Sequence, residues 1–437
     1  MMRSIRTTAA ASIMLVVAAS GAGAQERPVA FRGAYIIPIA GPPVDDGVLI
    51  VQGGRIAAVG AAASVRIPEG ADVRDVTGKV IMPGLVDTHS HIGGGDGGDR
   101  SGPIHGDVRI LDALDARHDG IRKARAGGVT TANIMPGSGL LMSGQTAYVK
   151  LRDGRTIYDL LLCRDVLTDI CGGLKMANGT NPIGAAPMPS TRARSAALVR
   201  DRFVKAQEYR ERITSQDAAR RPARDLELET LVQVLDGRRV VHFHTHRHDD
   251  VLTVLRLSRE FGFRVVLQHV SEAWKVADEI AAAGAPASII VIDAPGGKLE
   301  ALDLSMETGA VLETAGVLVG FHTDDGITDS RFFLRSAGLA VRSGMSRDAA
   351  LYALTMANAR MLDLEDRVGS LEPGKDADFI ILSGDPLSVY TRVEETWIDG
   401  VRVFDLSDPQ DRAYAVGGYN VTRDVGHTHH AGMEGHR

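Results

Sequence analysis

The stretch PGLVDTHSHI, Pro83–Ile92, is an apolar run that ends in two histidines one residue apart, His89 and His91. On a strand, residues i and i+2 point to the same side. Both imidazoles therefore face one point, where the run meets a glycine-rich segment, GGGDGGDRSG, Gly93–Gly102. Neutral imidazole, with one fixed lone pair, suits zinc, manganese, iron or nickel. The pair reads as two ligands of one ion, and the rest of the chain must supply the others.

Seven more apolar runs follow: GVTTANIMP, QTAYVKL, GGLKMA, RVVHFHTH, RVVLQHV, ASIIVID and VLVGFHTDD. Helical patterns such as STRARSAALVRDRFVKAQEYRER and DDVLTVLRLSREFG lie between most of them. Eight strands alternating with helices predict an α/β fold, a (β/α)8 TIM barrel over residues 81–367, with a doubly wound sheet as the alternative. Residues 25–80 and 368–412 are rich in β-formers, glycine and proline, and predict a composite β-sandwich domain built from both termini. The polar segment Gln216–Arg224 reads as a surface insertion, and residues 413–437 as a flexible His-rich tail.

The first 24 residues have the parts of a secretory leader: Arg3 and Arg6, an apolar stretch, then Ala22-Gly23-Ala24. The apolar run is shorter than the ~20 residues a membrane span needs. The sequence thus predicts a secreted, most simply periplasmic, protein with no membrane anchor after cleavage. Cys163 and Cys171 are the only cysteines; in an oxidising compartment they could pair, or remain two buried thiols. A net charge of −6 with no basic–aromatic cluster argues against nucleic-acid binding.

Active sites of such barrels sit at the C-terminal strand ends, and ligand-type side chains recur there. His89 and His91 end the first run, Lys175 lies in the fourth, His244 and His246 in the fifth, His269 in the sixth and Asp324 in the eighth. Asp324 could bind a metal and accept a proton from water. Lys175, held as a free amine, could react with CO2 to give a carbamate that bridges two ions, lowering the pKa of a water between them towards ~7. Lys150, which ends the third run, is the alternative bridging lysine.

These motifs, with GVTTAN and the closing GSLEPGKDADFIIL, resemble the amidohydrolase superfamily, in particular its imidazolonepropionase-like and Xaa-Pro dipeptidase-like branch. The resemblance covers nearly all of the chain after the leader. It implies a two-metal hydrolase, with zinc expected and manganese, iron or nickel compatible. His89, His91 and Asp324 would hold the buried ion, His244 and His269 the second, Lys175 would bridge, and Asp324 would be the general base. Imidazolonepropionases and adenosine deaminases place a glutamate three residues after the fifth-strand histidine. Arg247 stands there, with Glu272 a weak substitute, which disfavours deamination and imidazolone hydrolysis.

His246, Asn181 and Arg192 could contact substrate. His242, on one face with His244 and His246, reads as a packed histidine deeper in the barrel, His248 as a loop residue, and His322 as pointing away from Asp324's neighbours. The expected reaction is hydrolysis of amide-type C–N bonds in dipeptides, N-acyl amino acids or cyclic amides. Lactone or ester hydrolysis is the alternative, with a non-catalytic relative less favoured. Self-association of the chain is compatible with the sequence.

Overall fold

The computed structural model describes residues 27–95, 97–291 and 298–417. The leader, the end of the seventh apolar run and residues 418–437 lie outside the described residues. Five strands open the fold: β1 (Val29–Ile36), β2 (Val44–Gln52), β3 (Arg55–Ala61), β4 (Asp72–Asp75) and β5 (Val80–Pro83). Nine follow: β6 (Leu85–Ser90), β7 (Val129–Ile134), β8 (Met142–Gln145), β9 (Ala147–Lys150), β10 (Leu174–Ala177), β11 (Val241–Thr245), β12 (Val265–His269), β13 (Ala287–Ile289) and β14 (Val319–Phe321). Three close it: β15 (Phe379–Leu382), β16 (Val393–Ile398) and β17 (Val401–Asp405).

The opening and closing strands form one mixed sheet in the order β17-β16-β15-β5-β1-β2-β3, with β4 beside β1. The chain ends therefore share one continuous hydrogen-bonded sheet, rather than the two separate sheets expected of a sandwich. It curls around an apolar core. Phe31 on β1 lies 5.2 Å from Trp397 on β16, although two strands separate them in the order, and 5.0 Å from Phe379 on β15. Alternation supplies that core: Val29 and Phe31, then Ala34 and Ile36 after a bulge, face it. The expected boundary at residue 81 falls inside β5, which belongs to this sheet.

The middle strands form an α/β unit of two sheets, β6-β7-β9 and β14-β13-β12-β11-β10-β8. Their pairing is parallel except at the third apolar run. Only Gln145 of that run belongs to β8, antiparallel to β10; beyond Thr146 the run forms β9, antiparallel to β7. The reversal decides where its lysine goes. Lys150 pairs with Thr131 near the start of β7, whereas Ala147 pairs with Ile134 at its end. Lys150 therefore lies at the opposite end of the strands from His89 and His91. It is fully buried there among Asp376 (2.5 Å), Asp399 (2.5 Å) and Asp378 (3.1 Å), carboxylates of the terminal sheet. Three carboxylates engage its nitrogen there, away from the histidines, which removes it from the bridging role.

The remaining edges, β6 and β14, meet through side chains and loops. The Asn358 amide donates to Val86 O (2.5 Å) and Phe321 O (2.6 Å), one on each edge. Beyond the strands, Asp324 N donates to His89 O at 2.8 Å. These bonds satisfy buried edge carbonyls that would otherwise be stranded.

The helix Arg192–Ile213 starts at a Thr191 cap, and the insertion after it carries only a short, exposed turn at Ala218–Arg220. The C-terminal helix Pro409–Val416 packs on Asp119–Ala126, with Tyr414 bonded to Asp119 at 3.0 Å. Order thus extends through residues 413–416, which had been expected to belong to the tail. Cys163 and Cys171 are paired, their Cα atoms 5.0 Å apart. Among the described residues, no helix is long and apolar enough to cross a membrane.

Candidate metal centre

The parallel strands deliver six histidines, Asp324 and Lys175 to one buried cluster. His89 Nε2 and His91 Nε2 stand 3.1 Å apart. Asp324 Oδ1 lies 2.9 Å from His91 Nε2 and 3.4 Å from His89 Nε2. On the other side, His244, His246 and His269 bring one ligand nitrogen each within 4.8 Å of one another, as do His89, His269 and His322. Lys175 Nζ sits 3.0 Å from His89 Nε2.

The backbone bends to achieve this. His269 has φ +72° and Asp324 φ +47°, a region that costs non-glycine residues roughly 1–3 kcal/mol each. Both residues end their runs by turning the chain out of strand geometry, which points their side chains at the cluster. His322, which the sequence reading had set aside, stands two residues before Asp324, so the i, i+2 rule itself places the two on one side. His322 Nε2 in fact reaches His269 Nδ1 at 3.0 Å, and its ring stacks on His89.

Burial and neighbouring charges favour the neutral form of five of these imidazoles. Burial, reinforced by the Lys175 charge, holds His89 well below the usual histidine range. Burial and then Lys298 do the same for His244 and His246. For His269 the causes are burial and then His322, and burial takes His322 down to about 3. Lys175 has no carboxylate in ion-pair contact among the described residues, and burial lowers its pKa to about 7. It can therefore exist as the free amine near neutrality.

The donor set fits divalent metal. His91 Nδ1 lies 2.8 Å from Met135 O; a carbonyl only accepts, so Nδ1 carries the proton and Nε2 the lone pair. Nε2 faces a carboxylate oxygen at 2.9 Å, the separation that two ligands of one cation take. Two ligands about 2.1 Å from one tetrahedral ion stand roughly 3.4 Å apart, close to the separations of His89, His91 and Asp324. Buried His89 Nδ1, His244 Nδ1 and His269 Nε2 lack hydrogen-bond partners among the described residues.

The other expected site residues divide. Asn181 joins the cluster, its Nδ2 3.1 Å from His244 Nε2. His246 joins it too, with Nδ1 2.8 Å from Ser271 Oγ. Arg192 is committed to buried Asp250 at 2.9 Å. Lys150 is remote, as described above. His242 packs between Tyr148 and Gln268. Arg247 pairs with Asp249, and Glu272 with His248 at 2.6 Å. Lys298 was missed: its Nζ lies 3.0 Å from His246 Nε2. It follows the seventh run by several residues, beyond the reach of a strand-end rule.

Comparison with known proteins agrees with this arrangement. The amidohydrolase family model matches residues 212–404. A solved structure, an amidohydrolase from Thermotoga maritima MSB8, is 35% identical; the match covers 86% of this chain and all of that one, with a TM-score of 0.80. The chain belongs to the amidohydrolase family.

Its relatives include amidohydrolase tasK of Hapsidospora irregularis, 28% identical over 84% of this chain. The chain spans only 41% of that protein's length. The imidazolonepropionase of Deinococcus radiodurans is 27% identical over 78% of this chain and 86% of its own.

Proposed function

We propose that this amidohydrolase cleaves carbon–nitrogen bonds of small amides, among them N-acyl amino acids, dipeptides and cyclic amides, with two divalent ions, zinc first among them. The observation that carries the reading is Asp324, whose Oδ1 converges with two imidazole nitrogens in a buried cluster of histidines. Family membership and the similarity to an imidazolonepropionase support it. The fold reading that goes with it is a (β/α)8 barrel whose third strand is reversed.

His89, His91 and Asp324 would hold one ion, and His244 and His269 the other. Lys175, uncharged near neutrality, would take up CO2, its nitrogen bonding to carbon with loss of a proton, to bridge them. Bound divalent ions would supply Lewis acidity and an acidified water. Asp324 accepts the proton of the attacking water and returns it to the leaving nitrogen. His322, anchored by Ser288 at 2.8 Å, orients His269. Arg247 is paired with Asp249 and Glu272 with His248, which supports hydrolysis over deamination. The leader pattern and the Cys163–Cys171 pair support export to an oxidising compartment.

The test is a panel of N-acyl amino acids, dipeptides, cyclic amides and lactones, offered to zinc-loaded protein. Amide cleavage that disappears on chelation and returns with metal supports the reading. Cleavage of lactones alone, or turnover indifferent to chelation, refutes it.

A further inference from the structure

Asn181 and Lys298 stand on different loops, one past β10 and one past β13, yet both reach the same atom. Asn181 Nδ2 lies 3.1 Å and Lys298 Nζ 3.4 Å from His244 Nε2. With an ion on His244, its Nε2 either gives its lone pair to the metal or carries the ring proton. It can then accept from neither donor, which leaves N–H groups of both directed into the site. Lys298 also contacts His246 Nε2 at 3.0 Å and Glu300 Oε1 at 2.8 Å.

Glu300 organises the pair. Its side chain is 1% exposed. One oxygen takes Lys298, and the other accepts from Thr180 N at 2.7 Å. A single buried carboxylate therefore ties the residue beside Asn181 to Lys298 and fixes the spacing of the two donors. Burying such a pair costs desolvation unless the remaining hydrogens find acceptors, and those of Lys298 face the histidines. Asp324 contacts His89, His91 and His269, so the donor pair and the base stand over different histidines. Arg192, the cation that the sequence had offered for this task, is occupied by Asp250.

We propose that Asn181 and Lys298, held by Glu300, clamp a carboxylate on the substrate. Two donors, one of them charged, match the two oxygens of a carboxylate, whereas a carboxamide presents one oxygen and an NH2 that opposes the second donor. The inference rests on the hydrolytic reading and narrows it to small amides with a carboxylate near the scissile bond, N-acyl amino acids and dipeptides foremost.

The test is calorimetric. Zinc-loaded full-length protein carrying Asp324→Asn, which should bind without turnover, is titrated with N-acetylglycine, N-acetylleucine and N-acetylproline and with their carboxamides. The clamp predicts that at least one acid binds ten-fold or more tighter than its amide. Lys298→Met in that background should collapse the ratio to about one, Lys298→Arg should restore part of it, and Glu300→Gln should lower it.

Equal binding of acids and amides by the parent, or no binding of either, overturns the clamp. So does a ratio that survives Lys298→Met, including a case in which Lys298→Met made in the wild-type protein lowers kcat alone, the mark of an oxyanion-stabilising lysine. Zinc content and circular dichroism matched to the parent show that each variant is folded. Acids that bind selectively but are never cleaved by the wild type would refute the hydrolytic reading and leave the clamp standing.

Discussion

Replacing Lys150 by methionine should cost the fold several kcal/mol and spare the metal centre, whereas replacing Lys175 should do the reverse. Both side chains are fully buried. Lys150 sits among three aspartates. Without it, Asp376 keeps Arg55 (2.6 Å) and Arg367 (2.8 Å), and Asp399 keeps Arg152 (2.6 Å). Asp378 retains only the backbone N–H of Asp399, at 2.9 Å, and its Oδ2 is already unpartnered.

The loss is therefore one stranded buried carboxylate, worth about 3–5 kcal/mol. At about 2.1 cal/mol/K per residue, roughly 380 ordered residues turn that into a fall in Tm of about 4–6 °C. Lys175 pays for its burial with no carboxylate in ion-pair contact, so an apolar isostere should leave Tm unchanged or raise it. It should, however, reduce bound zinc from about two ions per chain to about one. Thermal denaturation and atomic emission after dialysis read both effects. Loss of zinc in Lys150→Met with retention in Lys175→Met would refute the assignment of the two lysines.

Asp324→Asn should leave the fold intact and lower kcat by ~10²-fold or more; near-normal turnover would remove Asp324 from the base role. Burial lifts the Asp87 carboxyl to about 7, against bonds from Thr323 and His89 that favour its ionised form. The folded state thus prefers the protonated acid, so this contribution is full below about pH 4 and is lost as pH rises through about 7, by roughly 4 kcal/mol at most. The urea midpoint of the wild type should fall over that window relative to Asp87→Asn, and equal slopes in the two proteins would contradict the shift. Asn358→Leu should strip one bond from each edge carbonyl of β6 and β14, cost about 2–4 kcal/mol, and weaken zinc retention; unchanged Tm would show that the joint carries little.

The eight apolar runs were legible because buried strands leave a pattern that survives without tertiary information, and each contains a strand. The strand-end rule brought out His89, His91, Lys175, His244, His269 and Asp324 for the same reason. It failed where geometry depends on direction or on the path after a strand. QTAYVKL shows no mark of running antiparallel, yet that reversal sends Lys150 to the wrong end. His322 was misread rather than hidden: it stands two residues from Asp324, which places both on one side. Lys298 and Glu300 lie in a connecting segment, and nothing local says that it folds back over the histidines. Arg192 looked available only because its partner, Asp250, is distant in sequence.

The most direct measurement is anomalous diffraction at the zinc edge from crystals of the zinc-loaded protein. The account predicts one peak bounded by His89, His91 and Asp324 and a second against His244 and His269, with density joining Lys175 to both. Peaks confined to other histidines, or a single ion that Asp324 does not touch, would contradict it.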